Sequence, residues 1–250
     1  MSDAILTERR DRVLVITMNR PEAKNAINGD LANGLWAAVD ELNTDPGLTA
    51  GVLTGAGGAF CSGMDLKAFA KGEDIGPIQQ FFSSGAEKPL IGAIEGFALA
   101  GGLEIALSCD LLVAAAGAKL GIPEVKVGLF AAGMGVMRLP ARVGYGKAME
   151  MALTGDPISA EDGLAYGLIS RIAEQGSAVD VAIELAERIA KNAPLGVAAS
   201  KKIIRATQGN TEEELMAIQA ELYVPVFTSN DAREGPAAFA EKRDPEWTGT

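Results

Sequence analysis

The stretch Ala98-Leu99-Ala100-Gly101-Gly102-Leu103-Glu104 joins an apolar strand, predicted over Pro89–Phe97, to an apolar helix. Glycine allows a ligand oxygen to approach the backbone closely, and the first amides of a helix have no acceptor within it. A second strand, Thr49–Thr54, also runs into glycines, at Gly55–Gly58. Strands that alternate with helices in this way predict an α/β architecture with mostly parallel pairing.

Working outward, the chain begins with a predicted hairpin of Ala4–Thr7 and Val13–Met18. From about Gly144 onward it is mainly helical, and a change in composition near Pro194 divides an α/β body, 1–193, from a helical region, 194–250. The remaining predicted strands are Asp110–Ala115, Lys119–Ile122 and Leu168–Ile172, and the predicted helices include 29–43, 177–192, 194–208, one capped by Thr211, and 231–242.

Composition limits the chemistry. The 250 residues carry a net charge of −11 and include no histidine, which excludes every mechanism that needs an imidazole. General acid–base catalysis would then depend on carboxylates, Lys, Tyr, Cys or backbone amides. The acidic balance argues against a nucleic-acid partner, although a few lysines can still bind a small anion.

The chain carries no signal for secretion or for a membrane. Its two cysteines, Cys61 and Cys109, are too few for a disulfide framework and fit a reducing compartment. The first residues are too polar for a secretory signal, and the apolar stretch 103–120 is interrupted by charged residues. We therefore expect a soluble cytoplasmic protein without a membrane partner.

The function of the two glycine segments has more than one interpretation. Gly55 and Gly57 could begin a dinucleotide fingerprint, but Phe60 occupies the sixth position, which disfavours an NAD-dependent oxidoreductase. The backbone amides of Met64 and Gly101 could instead converge on one oxygen as an oxyanion hole. Small residues at the second segment are equally consistent with tight packing of a helix on the sheet.

Two glutamates lie in apolar surroundings. Glu104 is on the helix after the second glycine segment, and Glu124 follows Pro123. Burial raises the pKa of a carboxyl, so such groups are candidates for general acid and base. Taken singly, Glu104 could merely complement the helix dipole and Glu124 could be exposed beside a turn. Together with an oxyanion hole they form the best acid–base pair in the chain.

Over nearly its whole length the chain resembles the enoyl-CoA hydratase/isomerase (crotonase) family. Ordered matches carry the resemblance: Asn19–Ala26, Gly55–Lys67, Gly96–Asp110, Pro123-Glu124 followed by Gly128, Leu153–Gly155 with Ser159–Asp162, and Glu234–Arg243.

The resemblance implies a ββα-spiral core with a C-terminal helical oligomerisation region, in a homotrimer or homohexamer. It implies that the amides of Met64 and Gly101 stabilise the enolate of an acyl-CoA thioester. Glu104 is then the base that activates water, and Glu124 is the acid that protonates the α-carbon. The implied activity is that of an enoyl-CoA hydratase, a hydro-lyase without a metal or a separate cofactor, because CoA belongs to the substrate.

The same resemblance implies where CoA binds. Its positions are Lys24, Ala26, Asp65, Leu66 and Lys67, and in the C-terminal tail Phe239 and Lys242. Each lysine could equally be a solvated surface charge, and Phe239 a core residue.

One segment departs from the pattern of the hydratases. They often have Thr-x-Pro-Gly-x-Gly-Gly where this chain has Leu129-Phe130-Ala131-Ala132-Gly133-Met134-Gly135. Because this segment follows Glu124, we expect it to affect that residue and the acyl pocket; Met64 is also bulkier than usual. A carnitinyl-CoA-like dehydratase, an enoyl-CoA isomerase and a non-catalytic acyl-CoA-binding scaffold therefore remain alternatives. The sequence gives neither acyl-chain length nor branching, nor the direction of the reaction.

Overall fold

The computed structural model describes residues 4–250. The chain forms two compact units, of which the first extends to Ala186 and the second is Glu187–Thr250. The strands are β1 (Ile5–Arg10), β2 (Val13–Met18), β3 (Ala50–Gly55), β4 (Leu90–Ile94), β5 (Phe97–Leu99), β6 (Leu111–Ala115), β7 (Lys119–Gly121), β8 (Ile158–Ser159) and β9 (Arg171–Ala173). The helices are α1 (Gly29–Thr44), α2 (Leu66–Ala70), α3 (Gly76–Ser84), α4 (Gly101–Leu107), α5 (Gly135–Val143), α6 (Tyr145–Thr154), α7 (Ala160–Tyr166), α8 (Ala178–Ala190), α9 (Pro194–Ala206), α10 (Glu212–Phe227) and α11 (Asn230–Glu241).

A six-stranded sheet in the order β1-β2-β3-β4-β6-β9 is the frame of the first unit. Strands β1 and β2 form the predicted antiparallel hairpin, and every other neighbouring pair is parallel. All of β4 and nearly all of β3 are buried, as expected of parallel strands that are covered on both faces. The predicted α/β class with mostly parallel pairing is confirmed.

The strand predicted over Pro89–Phe97 is in fact two strands, so that prediction was wrong. The chain leaves the large sheet after Ile94, and β5 joins a second sheet in the order β5-β7-β8. The turn between them needs Gly96, whose φ of +59° favours glycine and where a Cβ would lie 2.4 Å from the carbonyl oxygen of Gly58. This change of sheet places the start of α4 against the first glycine segment.

The strand predicted over Leu168–Ile172 lies further along the chain, at β9. Leu168 and Ile169 are buried, and both of their amides donate to the carbonyl oxygen of Gly163. Leu168 and Ile169 therefore belong to the turn after α7. Their apolar side chains, which are buried in this turn, led to the prediction of a strand there.

Helix α1 shows how the predicted stripe builds the core. Asn28 caps it by accepting a hydrogen bond from the amide of Leu31. Leu31, Leu35 and Leu42 are fully buried. Each such leucine contributes about 1.5–3 kcal/mol of transfer free energy.

The second unit consists of helices. Thr211 caps α10 in a capping box with Glu214, as its sequence predicts. After α11 the chain end is held by Asp231, whose carboxylate accepts from the amides of Thr248 and Gly249.

Over residues 4–250, none of the helices combines the length and the apolar composition that crossing a membrane requires.

Candidate active site

The two glycine segments lie side by side because Cys61 pairs with Ala98 in a parallel bridge. The amide of Cys61 donates to the carbonyl oxygen of Phe97 at 3.2 Å, and the amide of Leu99 donates to that of Cys61 at 3.0 Å. Across this contact Gly102 approaches so closely that a Cβ would lie 2.3 Å from the carbonyl oxygen of Cys61. The second segment must therefore have glycine at 102.

This pairing brings the amides of Met64 and Gly101 together. A Cβ on Gly63 would lie 3.2 Å from the amide nitrogen of Gly101, and a Cβ on Gly101 would lie 3.7 Å from that of Met64. Neither amide donates to a protein acceptor within residues 4–250. Two neighbouring unused donors are what one anionic oxygen needs. The bulky Met64 side chain packs against the core and leaves its amide free for this role.

Ala100 sets the direction of the Gly101 amide at some cost in backbone strain. Its φ is +51°, in a region that non-glycine residues rarely adopt. The amide of Ala100 donates to the carbonyl oxygen of Gly121 at 2.9 Å, which fixes the turn. Such strain costs about 1–3 kcal/mol and tends to occur at functional sites.

Glu104 lies one turn into α4 and is 5% exposed. Its Oε1 accepts a hydrogen bond from the amide of Gly135 at 2.8 Å. Burial raises the pKa of this carboxyl to about 7; the Gly135 amide opposes the rise, nearby Glu124 adds to it, and the Gly133 amide and Arg138 oppose it. A carboxyl with this pKa can exchange a proton near neutrality.

The segment Leu129–Gly135 contacts Glu124, as its place in the sequence suggested, because the amide of Leu129 donates to the Glu124 carbonyl oxygen at 3.0 Å. It also borders Glu104, which the sequence did not suggest. A Cβ on Gly133 would lie 2.7 Å from Glu104 Oε2 and 2.5 Å from the ring of Phe82. A Cβ on Gly135 would lie 2.8 Å from Glu104 Oε1. The two glycines leave space for the carboxylate; Gly135 coincides with a glycine of the usual motif, whereas Gly133 does not.

Glu124 lies on a short 3₁₀ turn, Pro123–Val127, and is half-buried. Its Oε2 is buried and has no hydrogen-bond partner within residues 4–250. Burial raises the pKa of Glu124, and a hydrogen bond from its own amide partly offsets the rise. Because its charge acts on Glu104, the two carboxyls lie close enough to interact electrostatically. A buried unpaired oxygen is costly unless a ligand completes its bonding.

The predicted CoA positions in the first unit fall into two segments that hydrogen bonds join. The amide of Ser62 donates to the carbonyl oxygen of Lys24 at 3.1 Å, and that of Asp65 donates to Ile27 at 2.9 Å. Lys24, Leu66 and Lys67 are exposed, whereas Ala26 is buried and Asp65 caps α2. The exposed members therefore have solvent-facing side chains beside the first glycine segment.

Arg20 and Asn25 hold these segments, although the sequence did not mark them individually. The Arg20 guanidinium donates to the carbonyl oxygen of Ala26 and pairs with Asp65 at 3.1 Å. Asn25 is fully buried at a φ of +54° and donates to the carbonyl oxygens of Ala56 and Ala59. Asparagine tolerates this backbone conformation, which is the signal that could have identified it.

Phe239 and Lys242 belong to the second unit, at the end of α11. Phe239 is 87% exposed, which excludes a core role within that unit, and Lys242 is the C-cap at a φ of +58°. Their contact with CoA stays a prediction.

Residues 4–250 contain no group of three or more Cys, Asp and Glu side chains arranged to hold a metal ion.

Comparison with known proteins places this site in context. The model of the enoyl-CoA hydratase/isomerase family matches residues 8–250. An enoyl-CoA hydratase of Mycobacterium tuberculosis, EchA19, is 41% identical, with 97% of this chain and 95% of that protein covered. A carnitinyl-CoA dehydratase of Salmonella agona is 39% identical, with both chains covered completely. Among solved structures, the enoyl-CoA hydratase EchA1 of Mycobacterium marinum is 53% identical over the whole of both chains, with a TM-score of 0.96.

Proposed function

The chain belongs to the enoyl-CoA hydratase/isomerase family, whose crotonase fold it shares, and we propose that it is an enoyl-CoA hydratase. The reaction is the reversible addition of water across the double bond of a trans-2-enoyl-CoA thioester. The observation that carries this proposal is the pair of unused amides, Met64 and Gly101, together with the interacting carboxyls of the buried Glu104 and the half-buried Glu124.

The two amides bind the thioester carbonyl oxygen. When water attacks the β-carbon, the electrons of the double bond move onto this oxygen and form an enolate. Preorganised donors stabilise such a charge by about 2.7–4 kcal/mol each. The β-carbon is electrophilic enough for water only with this stabilisation.

Glu104 takes a proton from the attacking water, and Glu124 gives its proton to the α-carbon of the enolate. Burial raises the pKa of both carboxyls, and their mutual repulsion favours the state in which one is ionised and the other protonated. That state supplies one base and one acid at the same pH. Exchange with water restores both protonation states, and the reverse sequence removes water.

The positions that match the family motif bind CoA. Lys24 and Lys67 attract the phosphates, and the backbone at Ala26, Asp65 and Leu66 lies along the adenine and pantetheine. By the same motif match, Phe239 and Lys242 are assigned to CoA binding as well. No cofactor enters the proposed reaction apart from the CoA of the substrate.

A carnitinyl-CoA-like dehydratase is the second candidate. The supporting observation is the 39% identity, over the whole of both chains, to a protein named carnitinyl-CoA dehydratase. The same two glutamates remove water when the sequence of proton transfers runs backwards. An enoyl-CoA isomerase would move the double bond without adding water.

A panel of enoyl-CoA and hydroxyacyl-CoA thioesters tests these functions. Hydration removes the absorbance of the conjugated thioester and adds the mass of water, whereas isomerisation leaves the mass unchanged. We expect Glu104→Gln and Glu124→Gln each to lower kcat by at least about 100-fold, at the lower end of general acid–base contributions. Unchanged turnover in both variants contradicts the mechanism. Tight CoA binding without turnover on any thioester would indicate a non-catalytic scaffold.

We also propose that the protein is cytoplasmic and forms a homotrimer or homohexamer through its C-terminal helices. Exposed apolar side chains on α10, among them Tyr223, Val224 and Phe227, support association there. Both cysteines are buried and neither forms a disulfide, as suits a reducing compartment. Light scattering during size-exclusion chromatography gives the subunit number, and a monomer contradicts the assembly.

A further inference from the structure

Arg138 connects three helices around Glu104. It follows Gly135 by one turn on α5, and its Nη1 donates to Ser108 Oγ at 2.7 Å. Its Nη2 donates to the carbonyl oxygen of Phe82, at the end of α3. Ser108 in turn donates from Oγ to the carbonyl oxygen of Glu104 at 2.9 Å. The guanidinium thus reaches the backbone of Glu104 through a single hydroxyl.

The residues held by Arg138 also form the walls around the Glu104 carboxylate. The Phe82 ring lies against Gly133, which borders Glu104 Oε2. Gly135, on the same helix as Arg138, donates to Oε1. A shift of α5 relative to α3 or α4 would therefore move the amide that orients the carboxylate. A planar guanidinium is suited to holding α5 in place relative to α3 and α4, because its two terminal nitrogens donate hydrogen bonds in fixed directions.

Arg138 also places a positive side chain where it acts on Glu104. Glu124, from the 3₁₀ turn, disfavours the ionised form of this carboxyl, and Arg138, from α5, favours it. The groups from α3 and from the 133–135 segment are neutral: the Phe82 ring and two backbone amides. Without the guanidinium, the ionised form of the buried Glu104 would lose this positive charge and keep the hydrogen bonds from the two backbone amides.

We propose that Arg138 is a positioning residue, which holds the Glu104 carboxylate in its orientation and in its ionised form through Ser108, Phe82 and the α5 helix. The proposal rests on the proposed function, because there Glu104 is the base. It predicts that substitutions can separate the effect of the Arg138 charge on Glu104 ionisation from the effect of its hydrogen-bond geometry on kcat.

The test compares Arg138→Gln, Arg138→Lys and the control Arg142→Gln. Arg142 is also half-buried on α5, but it donates to the carbonyl oxygens of Cys109 and Asp110. In R138Q we expect the acidic limb of the kcat/KM profile to move to higher pH and kcat to fall roughly 10- to 100-fold. R138K keeps the acidic limb near its wild-type position but loses kcat, because one ammonium cannot make both contacts. R142Q should match the wild type in both the acidic limb of the kcat/KM profile and kcat.

A titration without substrate separates this proposal from the proposed function. The ¹³C signal of the Glu104 carboxyl, assigned by its absence in E104Q, reports ionisation in the free protein. If the wild type turns over no thioester, the proposed function fails, and a higher titration midpoint in R138Q than in R142Q still supports the role of Arg138.

Two outcomes overturn the proposal. One is a Glu104 midpoint in R138Q equal to that in R142Q. The other concerns Ser108→Ala, which serves if R138Q does not fold, because it keeps the Arg138 cation but removes the hydroxyl that links it to the Glu104 carbonyl. We expect S108A to have a lower kcat and an unchanged titration midpoint of Glu104. A wild-type kcat in S108A contradicts positioning.

Discussion

The amide of Gly135 donates to Glu104 Oε1 at 2.8 Å, although 31 residues separate the two in the chain. This contact joins the start of α5 to the buried carboxyl of α4. It places a neutral donor where a side chain on residue 135 would collide with the carboxylate. The orientation of Glu104 therefore depends on a residue that takes no part in proton transfer.

Gly135→Ala should lower activity while leaving the fold intact. The added Cβ would lie 2.8 Å from Glu104 Oε1 and 2.9 Å from the Ala131 Cβ, so the carboxylate must turn. We expect kcat for enoyl-CoA hydration to fall roughly 10- to 100-fold, since small misplacements of a catalytic group are costly. Gly146→Ala, on α6 with no atom within 4 Å, serves as the control and should keep full activity. Equal activity of the two variants would contradict the contact.

Gly102→Ala should destabilise the protein. Its Cβ would lie 2.3 Å from the backbone carbonyl oxygen of Cys61, which cannot rotate away as a side chain can. Overpacking costs about 1–3 kcal/mol, and a backbone neighbour places this variant at the upper end or beyond. Urea unfolding measures the change, with Gly196→Ala as a control in open space on α9. A free energy of unfolding like that of the control would mean that the two glycine segments separate easily.

Glu104→Gln should gain stability relative to the wild type as the pH rises. Burial raises the pKa of Glu104 from its ordinary value of 4.5 to about 7, so the folded protein binds this proton more tightly than the unfolded chain. The stabilising effect is complete below about pH 4.5 and is lost as the pH rises through about 7. Glutamine carries no such dependence, so the Tm of E104Q minus that of the wild type should be larger at pH 8 than at pH 5. A difference that does not vary with pH would mean an ordinary pKa for Glu104.

Asp65→Asn should weaken substrate binding more than catalysis. Asp65 pairs with Arg20 at 3.1 Å, and each side chain is only 19% exposed. Burial opposes ionisation of Asp65, but hydrogen bonds from the Ala68 amide and Arg20 lower its pKa overall. Asparagine keeps the helix cap and loses the ion pair, so KM should rise about fivefold, equivalent to about 1 kcal/mol, with kcat nearly unchanged. Glu8→Gln, which removes an exposed ion pair with Arg10, is the control. A fall in kcat without a rise in KM would contradict a role in binding.

Local patterns predicted much of the fold and of the site. The hairpin of β1 and β2, the stripe of α1 and the cap at Thr211 depend on near neighbours in sequence, which periodicity and capping preferences record. The two glycine segments and Glu104 were found because each lies directly after a strand or at the start of a helix.

Long-range contacts were not predictable in this way. No local pattern connects Gly135 to Glu104, so the contact of the segment 129–135 with Glu104 was not predicted. Arg138 looks like an ordinary charge on an amphipathic helix until the positions of Ser108 and Phe82 are known. The break between β4 and β5 had a signal in Glu95-Gly96, but the mostly apolar composition of the run 89–97 outweighed it.

The burial of both cysteines makes the protein suitable for site-specific labelling. Burial raises the pKa of the Cys61 thiol to about 12, against which its hydrogen bond from the Gly63 amide has a smaller effect, and Cys109 is 2% exposed. A maleimide reagent needs an accessible thiolate, so neither cysteine should react in the native state. A single cysteine introduced at the exposed Lys71, at the end of α2, would then accept a spin label without competition from either native thiol. The spectrum of this label, with and without CoA, would report directly whether the nucleotide binds beside α2.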